Sequence, residues 1–295
     1  MLTFLFRGGS LLVVCLVWSA SQTMLQVHLF ASATVARTPS LSVVIPAFNE
    51  RKRLPKPLAA SLFYLRSQAR DWEVIVVDDG STDETAAALS SLREDEPHRL
   101  RVVRSPRNCG KGAALAAGAC LAAGERILLM DADGSTPLTA LQELEDVMDR
   151  VGCSIVVGAR CASRPWYREL MGYTFRALAS MAVSGVTDTQ CGFKLLTRDA
   201  AALTLPHLHI ERWAYDVEML YVAQRLGLGV VSAQVPFEDV PGSKVTWWTP
   251  VEMLLDVIRV STLYRLGVWE LPQRGAQSNG KGSARLRRGT YTLLI

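Results

Sequence analysis

No Cys-x-x-Cys pair occurs among the six cysteines at positions 15, 109, 120, 153, 161 and 191. Their spacing carries neither a zinc site nor a disulfide framework, and a reduced, cytosol-facing domain fits best. The glycine loop Gly110-Lys111-Gly112 lacks both the Gly-x-x-x-x-Gly-Lys-Ser/Thr of a P-loop and the Gly-x-Gly-x-x-Gly of a dinucleotide fold, which sets both aside. A large excess of one charge is also missing: the net charge is +4 and the pI near 8.8, too mild to make nucleic acid an expected partner. Part of the excess lies after Pro272, where Arg274, Lys281, Arg285, Arg287 and Arg288 stand without one acidic residue. Such a tail reads as solvated and disordered.

Charge is absent altogether from Gly8 to Ala36, 29 positions, and no second charge-free run of that kind follows. About 20 apolar residues suffice for a helix to cross the hydrocarbon core, so a single N-terminal membrane anchor over residues 1–37 is the first reading. Gln22, Gln26 and His28 weaken its second half. Leu11–Trp18 is short enough for a signal-peptide core, with Ala31-Ser32-Ala33 as a cleavage site, and a buried N-terminal helix is a third reading. Arg7 stands alone before the run while Arg37, Arg51, Lys52 and Arg53 follow it, so an uncleaved anchor leaves the main domain on the cytoplasmic side. A mean hydropathy of +0.17 lies at the apolar end of the soluble range, which makes membrane contact a question that comes before fold.

What is present from residue 40 onward is alternation. Leu41–Pro46, Glu73–Asp78, Leu100–Arg104, Arg126–Met130 and Ser154–Gly158 are short apolar runs expected to be buried strands. Helical stretches are expected between them, at about 57–70, from near Thr82 with Ser81 as cap, at 111–123 and at 137–151. Strand alternating with helix predicts an α/β fold, a mostly parallel Rossmann-like sheet flanked by helices. Asp216 can start a helix running to Leu226, and Thr249 can cap another. In the latter, Glu252, Asp256 and Arg259 share one face and Val251, Leu254, Leu255 and Ile258 another; with Trp247-Trp248 before it, it suits a membrane interface or an ordinary surface packing. The expected organisation is a hydrophobic segment at 1–37, a catalytic domain at 40–246, the amphipathic helix at 247–271 and the basic tail at 272–295.

Loops after parallel strands gather on one rim, where open α/β sheets bind ligands. Asn49, Glu50, Asp79, Lys111, Asp131 and Asp133 therefore become neighbours. Asp131 and Asp133, one residue apart after Arg126–Met130, can face one point. Two anions there suit a divalent cation carrying a diphosphate, or Asp simply caps the next helix. Lys111, flanked by glycines at a helix N-terminus, can approach a phosphate or sit in a plain turn.

Together, Val43-Val44-Ile-Pro46-Ala-Phe48-Asn49-Glu50, Val76-Val77-Asp78-Asp79-Gly80-Ser81, Asn108-x-Gly110-Lys111-Gly112 and Asp131-Ala-Asp133-Gly134 resemble the nucleotide-diphospho-sugar transferases of glycosyltransferase family 2. Asp188-Thr-Gln-Cys-Gly-Phe-Lys194-Leu and Glu211-Arg-Trp213-Ala-Tyr-Asp216-Val-Glu218 narrow the resemblance to members that glucosylate dolichyl phosphate. It covers about residues 40–271. The resemblance implies a GT-A fold, UDP-glucose as donor, Mg²⁺ or Mn²⁺ as cofactor, dolichyl phosphate as acceptor, inversion at the anomeric carbon, and an endoplasmic reticulum membrane enzyme working on the cytosolic face. It assigns Pro46, Glu50 and Asp79 to the uridine, Lys111 to the uridine or phosphates, Asp131 to the ribose or a water-bridged metal, and Asp133 to the metal directly.

For the acceptor phosphate the candidates are Arg160, Arg168, Lys194 and Arg212, with arginine favoured for its two-pronged geometry. Asp188 and then Asp216 are candidates for a base or orienter at the attacking oxygen. A GDP-mannose-dependent relative shares the first four stretches. A processive polysaccharide synthase calls for Gln-x-x-Arg-Trp and several spans, whereas this chain reads His209-Ile-Glu-Arg212-Trp213. A catalytically inactive nucleotide-sugar-binding scaffold is the reading from another class.

Overall fold

The computed structural model of the protein describes residues 38–161, 182–242, 249–273 and 292–294. The chain divides into Met1–Arg37 and Thr38–Ile295, and the fold concerns the second unit. The N-terminal hydrophobic segment, Arg168, Trp247-Trp248 and most of the basic tail lie outside the described residues.

Eight strands form one sheet among the described residues: β1 (Leu41–Ala47), β2 (Trp72–Asp78), β3 (Leu100–Arg104), β4 (Arg126–Leu129), β5 (Ile155–Cys161), β6 (Lys194–Thr197), β7 (Val230–Pro236) and β8 (Thr292–Leu294). Their order is β7-β5-β6-β4-β1-β2-β3-β8. The pairs β1–β2, β1–β4, β2–β3 and β5–β7 are parallel; β6 is antiparallel to both β4 and β5, and β8 to β3. The helices are α1 (Pro55–Arg66), α2 (Ser90–Asp95), α3 (Lys111–Leu121), α4 (Leu141–Val151), α5 (Arg198–Thr204), α6 (Tyr215–Arg225) and α7 (Thr249–Arg265).

Both faces of the sheet are covered, which is why its strands are apolar throughout instead of alternating with polar residues. The period-two alternation appears in where each residue packs. Val43, Ile45, Val74, Val76 and Leu128 join one core with Leu58, Leu62 and Leu65 of α1 and Leu141, Leu144 and Met148 of α4. Val44, Ile127, Leu129, Ile155 and Val157 join a second with α6 and with Met253, Val257 and Val260 of α7. Ile75, Val77 and Val103 pack on Ala114 and Ala117 of α3. Each fully buried Val or Leu adds roughly 1.5–3 kcal/mol of transfer free energy, so the sheet is a rigid floor for the loops above it.

Several expectations need correction. The helix near Thr82 starts later, as a 3₁₀ turn at Ala87–Leu89 followed by α2. Asp83 Oδ1 takes both the Thr85 N–H at 3.1 Å and its hydroxyl at 2.5 Å, and Glu84 has φ of 62°, so this stretch is spent on turns. Ser81 therefore caps no helix; its Oγ accepts the Asn49 N–H at 2.9 Å. The fifth strand runs on to Cys161 because β7 pairs along its whole length. Strands β6 and β7 had no counterpart in the sequence reading. Thr292–Leu294, within the tail expected to be solvated, pairs with Val102–Arg104 on the open edge of β3, whose unpaired backbone groups are a template for a further strand.

Candidate functional site

The loops leaving β1 and β2 are stitched together. Asn49, in the left-handed region at φ 53°, accepts the Thr82 N–H at 2.8 Å, and the Glu50 N–H donates to Thr85 Oγ1 at 2.8 Å. Glu50 is buried and grips Arg53 with two bonds of 2.7 and 2.6 Å. Arg53 also feels the negative charge of Asp133 and Asp131, so it belongs to the rim although no sequence motif marks it. Its signal was the i,i+3 spacing from Glu50. Pro46 lies in β1 opposite Val77 of β2.

Asp79 follows β2 and is buried. Its two oxygens accept the Cys109 N–H at 2.8 Å and the Gly110 N–H at 2.7 Å, which ties the β2 loop to the amino end of α3. Burial raises this carboxyl to about 6; the two backbone donors and Arg212 act in the opposite sense, and neighbouring Asp78 adds to the rise.

At that helix end Lys111 Nζ lies 2.5 Å from Asp131 Oδ1, just beyond β4. Burial pushes the Asp131 carboxyl up, but the Lys111 ammonium outweighs it and holds the group below the usual carboxylate range. Burial would lower the Lys111 ammonium, and the charges of Asp131 and Asp216 more than offset it. Gly192 is the floor of this pair: a Cβ there would come within 2.1 Å of Asp131 Oδ2. Asp133 Oδ1 accepts the Ser135 N–H at 3.0 Å. The flanking Gly110, at φ 109°, and Gly112 have a use the sequence did not disclose: they let residues 210–212 and Tyr215 close on the helix end, where a Cβ would meet Glu211 O at 2.5 Å or Tyr215 Cβ at 2.6 Å.

The strand β6 brings the acceptor-side candidates to the same rim. Because it runs against β4 and β5, its first residue, Lys194, is registered with Leu129 at the carboxyl end of β4 and with Val157 of β5. Lys194 is fully buried; its ammonium donates to Asp216 Oδ1 at 2.5 Å and to the Cys191 carbonyl. The Tyr215 ring lies between Lys111 and Lys194, with ring-to-ammonium distances of 5.9 and 5.8 Å. Arg160 holds Asp188 through two bonds, Nε–Oδ2 at 2.5 Å and Nη2–Oδ1 at 2.8 Å, and its guanidinium stands 5.3 Å from the Phe237 ring. Burial raises the Asp188 carboxyl, and Arg160 overrides that and lowers it. Arg212 is exposed and, with Trp213, Met253 and Arg259, lines a cavity of about 310 Å³ against α7.

The geometry thus brings together Pro46, Glu50, Asp79, Lys111, Asp131 and Asp133 on one side, and Arg160, Asp188, Lys194, Arg212 and Asp216 around β5, β6 and α6. Lys194 and Asp216 are occupied with each other in the interior and Arg160 with Asp188, whereas Arg212 is exposed.

Among the described residues no group of three or more His, Cys, Asp or Glu could hold a metal unaided. Two carboxylates one residue apart at a strand end are the oxygen set of a cation that takes its remaining ligands from a bound diphosphate and water, so the residues present fit Mg²⁺ or Mn²⁺.

A mixed sheet with an acidic rim of this kind is the GT-A architecture of glycosyltransferases. Glucosyl-3-phosphoglycerate synthase from Mycobacterium tuberculosis, solved with Mn²⁺ and UDP-glucose, shares the fold at a TM-score of 0.60 and 22% identity over 80% of this chain and 81% of its own. The glycosyl transferase family 2 pattern matches residues 42–200, and the chain belongs to that family. It is similar to the dolichyl-phosphate beta-glucosyltransferases of Mus musculus, 40% identical over 80% of this chain and 79% of the relative, and of Homo sapiens, 39% identical over the same shares. The Saccharomyces cerevisiae protein of the same name is 29% identical over 78% of this chain and 76% of its own.

Proposed function

We propose that the chain transfers glucose from UDP-glucose to dolichyl phosphate with inversion, giving dolichyl β-D-glucosyl phosphate and UDP for lipid-linked oligosaccharide assembly in N-glycosylation. The observation that carries this is the Lys111–Asp131 pair with Asp133 beyond β4, in a chain similar over most of their length to the mouse, Dictyostelium discoideum and human proteins named dolichyl-phosphate beta-glucosyltransferase.

Pro46, Glu50 and Asp79 hold the uridine, and Lys111 reaches the uridine or the donor phosphates. Asp133, and Asp131 directly or through water, would hold a divalent cation, which would supply charge neutralisation of the departing UDP, an effect of several kcal/mol at the transition state. A phosphate monoester has a second pKa of about 6, so the acceptor oxygen is already anionic at neutral pH and needs orienting more than deprotonating. That agrees with Asp188 and Asp216, both engaged by cations and ill placed to take a proton. Arg160, oriented by Asp188, and Arg212 are assigned to the acceptor phosphate. The phosphate oxygen forms its bond to the anomeric carbon as the bond from that carbon to the UDP oxygen breaks on the opposite face.

Dolichyl phosphate places the reaction at a membrane, and we assign it to the cytosolic face of the endoplasmic reticulum. Among the described residues no helix is long and apolar enough to cross a bilayer. Supporting contact with one, α7 exposes Val251, Leu255 and Ile258 at i, i+4 and i+7, with Leu266 and Val268 just past its end, opposite the buried Met253, Val257 and Val260.

The test is transfer of labelled sugar to dolichyl phosphate in detergent with Mg²⁺, from UDP-glucose and in parallel from GDP-mannose, with EDTA and Asp133→Ala as controls. Lipid-linked glucose lost in both controls is the expected result. Mannose transfer would overturn the donor, and neither product from folded protein would return the inactive scaffold.

A further inference from the structure

Glu218 in α6 is a fully buried carboxylate that the reaction above does not use. A buried charge persists only when several donors satisfy it. It accepts the His209 N–H at 2.9 Å, the Ile210 N–H at 2.7 Å and the Tyr264 hydroxyl at 2.8 Å, with His209 Nδ1 a further 2.9 Å contact. Tyr264 belongs to α7, and the His209 ring is stacked on Trp269 beyond that helix at 4.2 Å, with 5° between the planes. On its other side the same turn reaches the donor rim. The Glu211 carbonyl accepts the Ala113 N–H of α3 at 3.1 Å, and Gly110 and Gly112 have no side chain so that residues 210–212 can settle there. Arg212, the next residue, acts on the charge of Asp79. A single path of contacts therefore runs from α7 through Glu218 and residues 209–211 to the helix end that carries Lys111.

We propose that Glu218 is a positioning residue for the donor: it holds residues 209–212 against the amino end of α3 and fixes that loop to α7. The proposal rests on the donor reading above. A carboxylate can accept all these bonds at once, whereas an amide has one oxygen and would turn an N–H₂ toward some of the donors. Glu218→Gln thus removes the clamp with little change of volume.

The experiment compares Glu218→Gln and Tyr264→Phe with the full chain in detergent. It measures KM for UDP-glucose, kcat at saturating dolichyl phosphate, melting temperature, and amide hydrogen exchange at Ala113, His209 and Ile210. Glu218→Gln is expected to raise the donor KM about tenfold with kcat within about threefold, the pattern of lost donor binding and not of a lost chemical step. The three amides exchange faster, and Tyr264→Phe shifts both readouts in the same direction by less. A lower melting temperature with unchanged KM and unchanged exchange at Ala113 would mean ordinary packing and overturn the proposal. Should Glu218→Gln fail to fold, Tyr264→Phe decides on the same readouts. If the wild type transfers nothing from UDP-glucose, the donor reading fails by itself, and unchanged exchange at Ala113 in Glu218→Gln separately overturns the clamp.

Discussion

Lys194 and Asp216 meet in the interior with Nζ 2.5 Å from Oδ1, the lysine fully buried and the aspartate nearly so. Removing either partner leaves an uncompensated buried charge, which costs about 3–5 kcal/mol. Lys194→Met and Asp216→Leu alone should each lower the denaturant midpoint strongly, and the double variant should recover much of the loss. Equal destabilisation by the double variant would show that the pair itself, and not the unpaired charge, sets the energy.

Asp133 sits at the rim, where its Oδ1 accepts the Ser135 N–H. Asp133→Ala is expected to cut glucose transfer by about two orders of magnitude or more, the scale of a lost metal ligand at a developing charge, with stability changed by less than about 1 kcal/mol. Transfer rates with added Mn²⁺, beside a thermal melt, check it.

Gly192 lies so close to Asp131 that a β-carbon would reach 2.1 Å from its carboxylate. Gly192→Ala must therefore displace Asp131 from Lys111. The expected outcome is about a tenfold or greater loss of kcat/KM for UDP-glucose, in keeping with small misplacements at a reacting centre. Gly152→Ala, with nothing within 4 Å of the added carbon, controls for loss of glycine; its φ of 66° confines the effect to a modest loss of stability.

Burial raises the Asp79 carboxyl to about 6. The folded chain thus binds that proton more tightly than the unfolded one, for which about 3.9 is usual. This group's contribution to stability is greatest at low pH and falls by roughly 3 kcal/mol as pH rises through the window from about 4 to about 6. Asp79→Asn should flatten that part of the stability–pH curve in a series of denaturant melts. If Asp79 holds the uridine as proposed, UDP binding by calorimetry in the wild type should weaken below about pH 6 as this carboxylate is protonated.

Leu255 and Ile258 are exposed on α7. Leu255→Asp with Ile258→Asp should leave the melting temperature within about 2 °C, since surface changes are worth a few tenths of a kcal/mol. Vesicle flotation of the chain from residue 38 onward should fall several-fold. Unchanged flotation would dismiss this face as a lipid contact.

The donor half of the site was legible because β1 to β4 are uninterrupted apolar runs ending in polar loops, and parallel strands put such ends on one rim. Asp79, Lys111, Asp131 and Asp133 needed nothing further. The burial of Lys194 was not legible for a physical reason: it begins a strand of four residues whose direction is set by pairing with β4 and β5, and neither burial nor direction shows in so short a run. The buried partner turned a candidate phosphate ligand into half of an interior ion pair. Ser81 failed as a helix cap because Asn49, thirty-two residues away, claims its hydroxyl. Gly192 was invisible because its partner, Asp131, follows another strand, and Arg53 showed only its spacing from Glu50.

The reversed strand β6 has an evolutionary reading. It stands between the parallel strands β4 and β5 and runs against both, so that it begins at the rim where β4 ends. The loop ahead of Gly192 is separate in the chain from β1 to β4, which deliver their carboxylates and lysine in their own order. A lineage can in this way alter one block of the sheet while inheriting the carboxylate rim of the other intact.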